Sequence, residues 1–237
     1  GVMALKFVNG ELEGSFTKFL DEEIKKQLAS FLSLKEDDYL LFASSNYRRD
    51  IDFGLGALRT RFAKELGLIK PGTYDLLWVV NFPMFDKIEG TENSYTAEHH
   101  PFTRPRDEDL PYLESDPEKV LAYAYDIIIN GYEAGGGTLR IYDHDTQWKI
   151  FSILGLSEED IARKFGWFID AFKYGVPPHG GLAFGLERLA MILCSTDNIR
   201  DVIAFPKNLQ AVDPMSKAPG SVSEAALNDV GIEIKKE

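Results

Sequence analysis

The sequence predicts an α+β protein: an antiparallel sheet flanked by helices, preceded by a small α+β domain. Three observations carry this. Strand-like runs come first, helical runs fall between them, and the connections carry hairpin signals rather than a βαβ pattern. Asn130-Gly131 lies between two β-forming runs and marks a two-residue reversal. Lys70-Pro71-Gly72 is a breaker that coincides with a step in charge, so the boundary is placed there, giving domains 1–73 and 74–237.

In the first domain, Leu5–Val8 is a short strand before the turn Asn9-Gly10. Asp21 can cap a helix in which Ile24, Leu28, Phe31 and Leu32 recur at helical spacing. Tyr39–Ala43 reads as a strand. A second helix places Leu55, Leu58, Phe62 and Leu66 on one stripe and stops at Gly67. In the second domain, Tyr74–Phe82 is an apolar strand halted by Pro83, and Thr96–Phe102 is a shorter one. Residues 103–118 are polar and proline-rich, hence a loop. Helices follow at Thr146–Leu154 and from Ser157 to Phe172, the latter opened by Ser157 with Asp160 three residues on. Gly180–Leu186 is a glycine-broken strand that enters a helix at Glu187–Leu193.

The 237 residues carry 26 Lys+Arg and 38 Asp+Glu, a net charge of −12. Residues 1–73 hold 11 of each sign, and residues 74–237 hold 15 and 27, so the excess lies wholly in the second part. Neither part is basic, which removes bulk electrostatics as a basis for binding a phosphate backbone. At 44% apolar and 27% charged residues, the composition excludes disordered and fibrous classes. Cys194 is the single cysteine, so no disulfide framework exists and a reducing, cytoplasmic setting is expected. No apolar run reaches the length of a membrane span, and no signal peptide is expected.

The run from Ala124 to Arg140 carries the most chemistry. Counting outward from Asn130-Gly131 pairs Ile128 with Glu133 and Asp126 with Gly135. Asp126 and Glu133 then share a sheet face as diagonal neighbours, about 5–8 Å apart. Two carboxylates that close repel unless a cation intervenes, and oxygen pairs of this kind suit Mg²⁺. Gly135-Gly136-Gly137 is expected to leave that face bare for a flat ligand. Arg140 has the wrong parity to join it, so a bulge within the triple glycine is predicted, offering Arg140 as a bidentate clamp for a carboxylate.

Glu98-His99-His100-Pro101-Phe102 follows a strand, so one histidine of the pair should enter the site. Zinc is disfavoured, because the spacing is wrong and Cys194 stands alone. In Gly180-Gly181-Leu182-Ala183-Phe184-Gly185-Leu186-Glu187-Arg188, Gly181 and Gly185 have equal parity and clear one face. Arg188 enters the first turn of the helix, where a cation opposes the helix dipole unless an anionic or π-rich ligand compensates.

Gly181–Arg188 and the helix after it resemble motif 3 of the class II aminoacyl-tRNA synthetases. Taken with His99-His100-Pro101-Phe102-Thr103, Ala124–Arg140, Pro177-Pro178-His179-Gly180 and Asp197–Pro206, the second domain resembles the bacterial-type aspartyl-tRNA synthetases. Residues 1–73 resemble the end of the insertion domain those enzymes carry.

The resemblance implies an antiparallel class II catalytic sheet and activation of aspartate by ATP, with Mg²⁺, for transfer to tRNA-Asp. His99 and Arg140 would hold aspartate. Glu133 would meet ATP and its magnesium, with Asp126 as the companion ligand. Gly185, Leu186, Glu187 and Arg188 would line the ATP site, with Arg188 stacked on adenine. Glu187 stands where bacterial members often have Asp. No stretch resembles the motif 1 dimer helix, the motif 2 strand pair or an anticodon-binding barrel. The chain thus reads as a C-terminal fragment of a homodimeric enzyme, inactive by itself. Three rivals are weighed beside it: an asparagine synthetase-like paralogue, a non-enzymatic tRNA-binding or assembly module, and a metal-dependent hydrolase using the two carboxylates with His99.

Overall fold

The computed structural model describes residues 1–235. The chain divides into two compact units, Gly1–Thr73 and Tyr74–Glu237.

In the first unit, β1 (Val2–Val8) is the centre of an antiparallel three-stranded sheet with β2 (Glu11–Glu13) and β3 (Tyr39–Ala43). The turn into β2 uses Asn9 and Gly10, both at positive φ. Leu5 and Leu12 form its buried interior. The helices α1 (Glu22–Phe31) and α2 (Arg48–Glu65) match the expected positions. Asp21 is the α1 N-cap residue, yet its side chain makes no capping hydrogen bond.

The second unit is built on a four-stranded antiparallel sheet in the order β4 (Leu76–Pro83), β7 (Leu121–Ile129), β8 (Tyr132–Leu139), β9 (Gly180–Phe184). A small hairpin, β5 (Phe85–Lys87) with β6 (Tyr95–Ala97), stands beside it. Its Phe85 and the preceding Met84 join Val120, Ala122, Ala124, Ile141 and Ile150 in one core. The second core is aromatic: Phe151 stacks on Phe165 at 4.7 Å, and Phe102 meets Phe168 edge-on at 4.9 Å.

Helix α3 (His144–Ile153) is capped by Asp143, whose carboxylate accepts from the Thr146 amide at 2.8 Å. Helix α4 (Glu158–Phe172) is capped by Ser157 through the Asp160 amide at 3.1 Å, as its spacing predicts. Helix α5 (Leu186–Leu193) begins one residue earlier than expected, with Gly185 as its N-cap. A last helix, α6 (Glu224–Asp229), is capped by Ser223.

Two expectations are corrected here. The strand foreseen over Thr96–Phe102 ends at Ala97, and His99 and His100 lie in an irregular bend. Pro101 lacks the N–H that a regular ladder needs and restricts the residue before it. The region 103–118, foreseen as a loop, contains a 3₁₀ turn at Asp107–Tyr112 and short bridges from Thr103 to Arg140 and from Pro105 to Ala122.

Candidate active site on the β7–β8 hairpin

The site begins at the reversal. Asn130 has φ 51° and Gly131 φ 83°, as a two-residue turn of this kind requires. Ile129 then faces Tyr132 and Ile128 faces Glu133. The next pair is Ile127 with Gly135, so Ala134 is a surplus residue on β8. The predicted bulge therefore exists, one position ahead of the triple glycine instead of within it. Asp126 consequently faces Gly136, not Gly135.

Beyond the bulge the faces follow the new count. Asp126 and Gly136 are directly opposed, Ala124 opposes Thr138, and Arg140 lies two residues past Thr138. Arg140 thus comes onto the face of Asp126 and Glu133. The carbonyl of Ala134 accepts from the Gly185 amide at 2.9 Å, which pins the surplus residue against the start of α5.

The glycines are not bare floor. A methyl group at Gly136 would collide with the Asp126 carboxylate. One at Gly135 would lie 2.6 Å from the Ala183 carbonyl oxygen, and one at Gly137 would strike the Gly181 carbonyl. These residues are glycine because β9 and Asp126 approach too closely for any side chain. Open space is found instead at Gly181, whose added Cβ would meet nothing within 4 Å.

Asp126 is 8% exposed. Burial pushes its carboxyl above the ordinary range, the negative charge of Glu133 pushes further, and His99 partly opposes both. The two acids are therefore electrostatic neighbours, with His99 within reach. Among the described residues, no lysine or arginine forms an ion pair with either acid; Arg104 and Arg106 pair with Asp107 and Glu108. An uncompensated pair of carboxylate oxygens fits a hard divalent cation. Among the described residues there is no cluster of three or more metal-ligating side chains, so most of such a cation's shell would come from other oxygen donors.

His99 packs its ring edge-on against Phe82 at 4.6 Å. Its neighbour His100 is the histidine that touches Arg140, with Nδ1 lying 3.3 Å from the guanidinium, and its Nε2 lies 3.3 Å from Thr138 Oγ1. The strand assumption allowed one histidine inside. The bend allows both, on different partners. Arg188 sits in the first turn of α5 with its guanidinium over the Tyr132 ring, 5.3 Å from the centroid. Tyr132 in turn donates its hydroxyl to Asp197 at 3.2 Å. His100 and Thr138 beside Arg140, and Tyr132 and Asp197 beside Arg188, are thus neighbours of the predicted residues that pattern reading did not single out. Gly185 leads directly into Leu186, Glu187 and Arg188, and Leu186 is exposed.

The class is shown by the comparison with known families. The chain belongs to the class II tRNA synthetases of the D, K and N group, whose family model matches residues 6–209. Among curated relatives, it is 48% identical over 239 aligned positions to an aspartate–tRNA ligase of Listeria monocytogenes serotype 4b (strain F2365), covering 100% of this chain and 40% of that protein. An aspartate–tRNA ligase of Clostridium tetani (strain Massachusetts / E88) is 46% identical, with the same coverage. An aspartate–tRNA(Asp/Asn) ligase of Caldanaerobacter subterraneus subsp. tengcongensis is 47% identical, covering 99% of this chain and 39% of that protein. The chain spans about two fifths of the length of these relatives. Among the described residues, no helix is long and apolar enough to cross a membrane.

Proposed function

We propose that this chain supplies the motif 3 half of the catalytic domain of an aspartate–tRNA ligase, with residues 1–73 forming part of its insertion domain. The observation that carries the reading is the bulge at Ala134, which brings Arg140 onto the face of Asp126 and Glu133. Its support from outside the chain is the shared naming of relatives at 46–48% identity.

On this reading an oxygen of the aspartate α-carboxylate attacks the α-phosphorus of ATP. A P–O bond forms to the carboxylate and the bond to pyrophosphate breaks. The aspartyl group then passes to the 3′ end of tRNA-Asp in the complete, homodimeric protein. This chain's part is positioning and charge. Arg140 forks onto the side-chain carboxylate of aspartate, with His99 beside it. Gly185 and Leu186 let the nucleotide approach the start of α5, Glu187 borders it, and Arg188 offers the free face of its guanidinium to adenine. Asp126 and Glu133 hold Mg²⁺, which supplies charge neutralisation for the phosphates when bound.

Calorimetric titration tests this. Aspartate should bind the wild-type chain and fail to bind Arg140→Ala, and ATP should bind only with Mg²⁺ present. Equal aspartate binding by both proteins removes the reading. The isolated chain should show no aspartate-dependent ATP–pyrophosphate exchange, because the motif 2 strand pair has no counterpart in it.

A further inference from the structure

His100 has different company at its two ring nitrogens. Nδ1 lies 3.2 Å from the Phe102 amide nitrogen, 3.1 Å from Thr103 Oγ1 and 3.3 Å from an Arg140 guanidinium nitrogen. Nε2 lies 3.3 Å from Thr138 Oγ1. A backbone N–H and a guanidinium can only donate. Nδ1 must therefore present its lone pair to them, and the ring proton sits on Nε2, where Thr138 accepts it.

The surroundings hold the ring in that form. Burial, the Arg140 charge and the neighbouring His99 together lower the His100 pKa to about 4. Thr103 and Thr138 are themselves almost fully buried. The bend is fixed from behind as well: the side-chain amide of Gln147 donates to the Pro101 carbonyl at 2.9 Å, and the Ile141 amide donates to the Phe102 carbonyl at 3.1 Å. The bridge from Thr103 to Arg140 sets the two backbones side by side.

We propose that His100 is a positioning residue, whose neutral imidazole accepts from one edge of Arg140 and thereby aims the remaining donors at the carboxylate of the bound amino acid. This rests on the reading of Arg140 as the aspartate clamp. The choice of acceptor has a physical reason. Arg140 has no carboxylate partner among the described residues, unlike Arg104 and Arg106. A carboxylate in the place of His100 would also orient the guanidinium, but it would cancel the charge that must attract the ligand. An imidazole lone pair orients without neutralising.

Two substitutions separate this role from simple packing. The amide of His100→Asn reaches the Nδ1 position and can still accept from Arg140. The amide of His100→Gln reaches the Nε2 position and leaves Arg140 without its acceptor. Aspartate affinity measured by calorimetry should stay within about threefold for His100→Asn and fall about 10²-fold for His100→Gln, the scale of a misplaced binding group. In the His100→Gln background, Arg140→Lys should cost much less than it does in wild type.

Nitrogen-15 NMR of the ligand-free wild type needs no variant, and should show an unprotonated Nδ1 and a protonated Nε2 for His100. A proton on Nδ1, or equal losses in the Asn and Gln variants, overturns the proposal. Should wild type bind no aspartate, the clamp reading fails. The positioning role is then decided by Arg140 N–H exchange, which should speed up in His100→Gln and not in His100→Asn; equal exchange in both overturns it.

Discussion

Arg188 lies with its guanidinium over the ring of Tyr132, and the Tyr132 hydroxyl is tied to Asp197. A cation in the first turn of a helix is opposed by the helix dipole, so its place needs another source of attraction. The tyrosine face supplies it, and donation of the hydroxyl to a carboxylate enriches that face in electron density. On the proposed reading, adenine would take the other side of the guanidinium.

Replacing Tyr132 by Leu should therefore weaken Mg–ATP binding. A cation–π contact contributes about 0.5–2 kcal/mol, which corresponds to a loss of about 2- to 30-fold. Tyr132→Phe keeps the ring and should stay within about twofold of wild type, since exposed hydrogen bonds contribute little. Titration of both variants with Mg–ATP, and with aspartate as a control that should not change, checks this.

The glycines of β8 make a sharper prediction. Gly137→Ala drives a methyl group into the Gly181 carbonyl, which is backbone and cannot swing aside, and against the Tyr125 ring. Overpacking of this kind should cost about 3 kcal/mol or more. Gly181→Ala faces open space and should change stability by less than about 0.5 kcal/mol. Urea denaturation of the two variants gives the comparison directly.

Asp126 resists ionisation because it is buried beside Glu133. For a raised carboxyl, stability is lost as pH rises from the unfolded value of 3.8 through the folded one. At neutral pH, Asp126→Asn should consequently raise the denaturation midpoint in EDTA. The same change should abolish most of the stabilisation that millimolar Mg²⁺ gives wild type, since a ligand stabilises only what it binds. A variant that gains in EDTA and responds to Mg²⁺ like wild type would remove Asp126 from the metal site.

His100 gives the opposite slope. Its pKa falls from 6.5 to about 4 on folding, so between those values the unfolded chain binds a proton that the folded chain refuses. Stability attributable to this group is complete above pH 6.5, drains as pH falls, and loses no more below about pH 4. His100→Asn should flatten that part of the urea-midpoint profile. In wild type the His100 ring protons should titrate at about pH 4.

Much of the scaffold could be read from local chemistry. Asn130-Gly131 fixed the hairpin because only such a pair accepts two positive φ angles in succession, and Ser157 announced α4 by capping it. What escaped depends on partners distant in sequence. The bulge was placed among the glycines because glycine tolerates distortion, whereas it fell at Ala134, whose carbonyl the Gly185 amide holds. The glycines themselves answer to β9 and to Asp126, and neither approach can be counted from the hairpin. A strand through the histidine pair leaves room for one of them in the site, whereas the bend before Pro101 sets His99 against Phe82 and His100 against Arg140. Tyr132 looked like an ordinary β-former until Arg188 and Asp197 were seen on either side of it.

The single surplus residue at Ala134 governs the direction of everything after it on β8. Side chains there can be exchanged one at a time, and each exchange has a local effect. Gaining or losing one residue between Asn130 and Gly136 is a different kind of change, because it turns Gly136, Thr138 and Arg140 to the opposite layer as a block. The length of this hairpin is therefore as strictly constrained as the glycines within it.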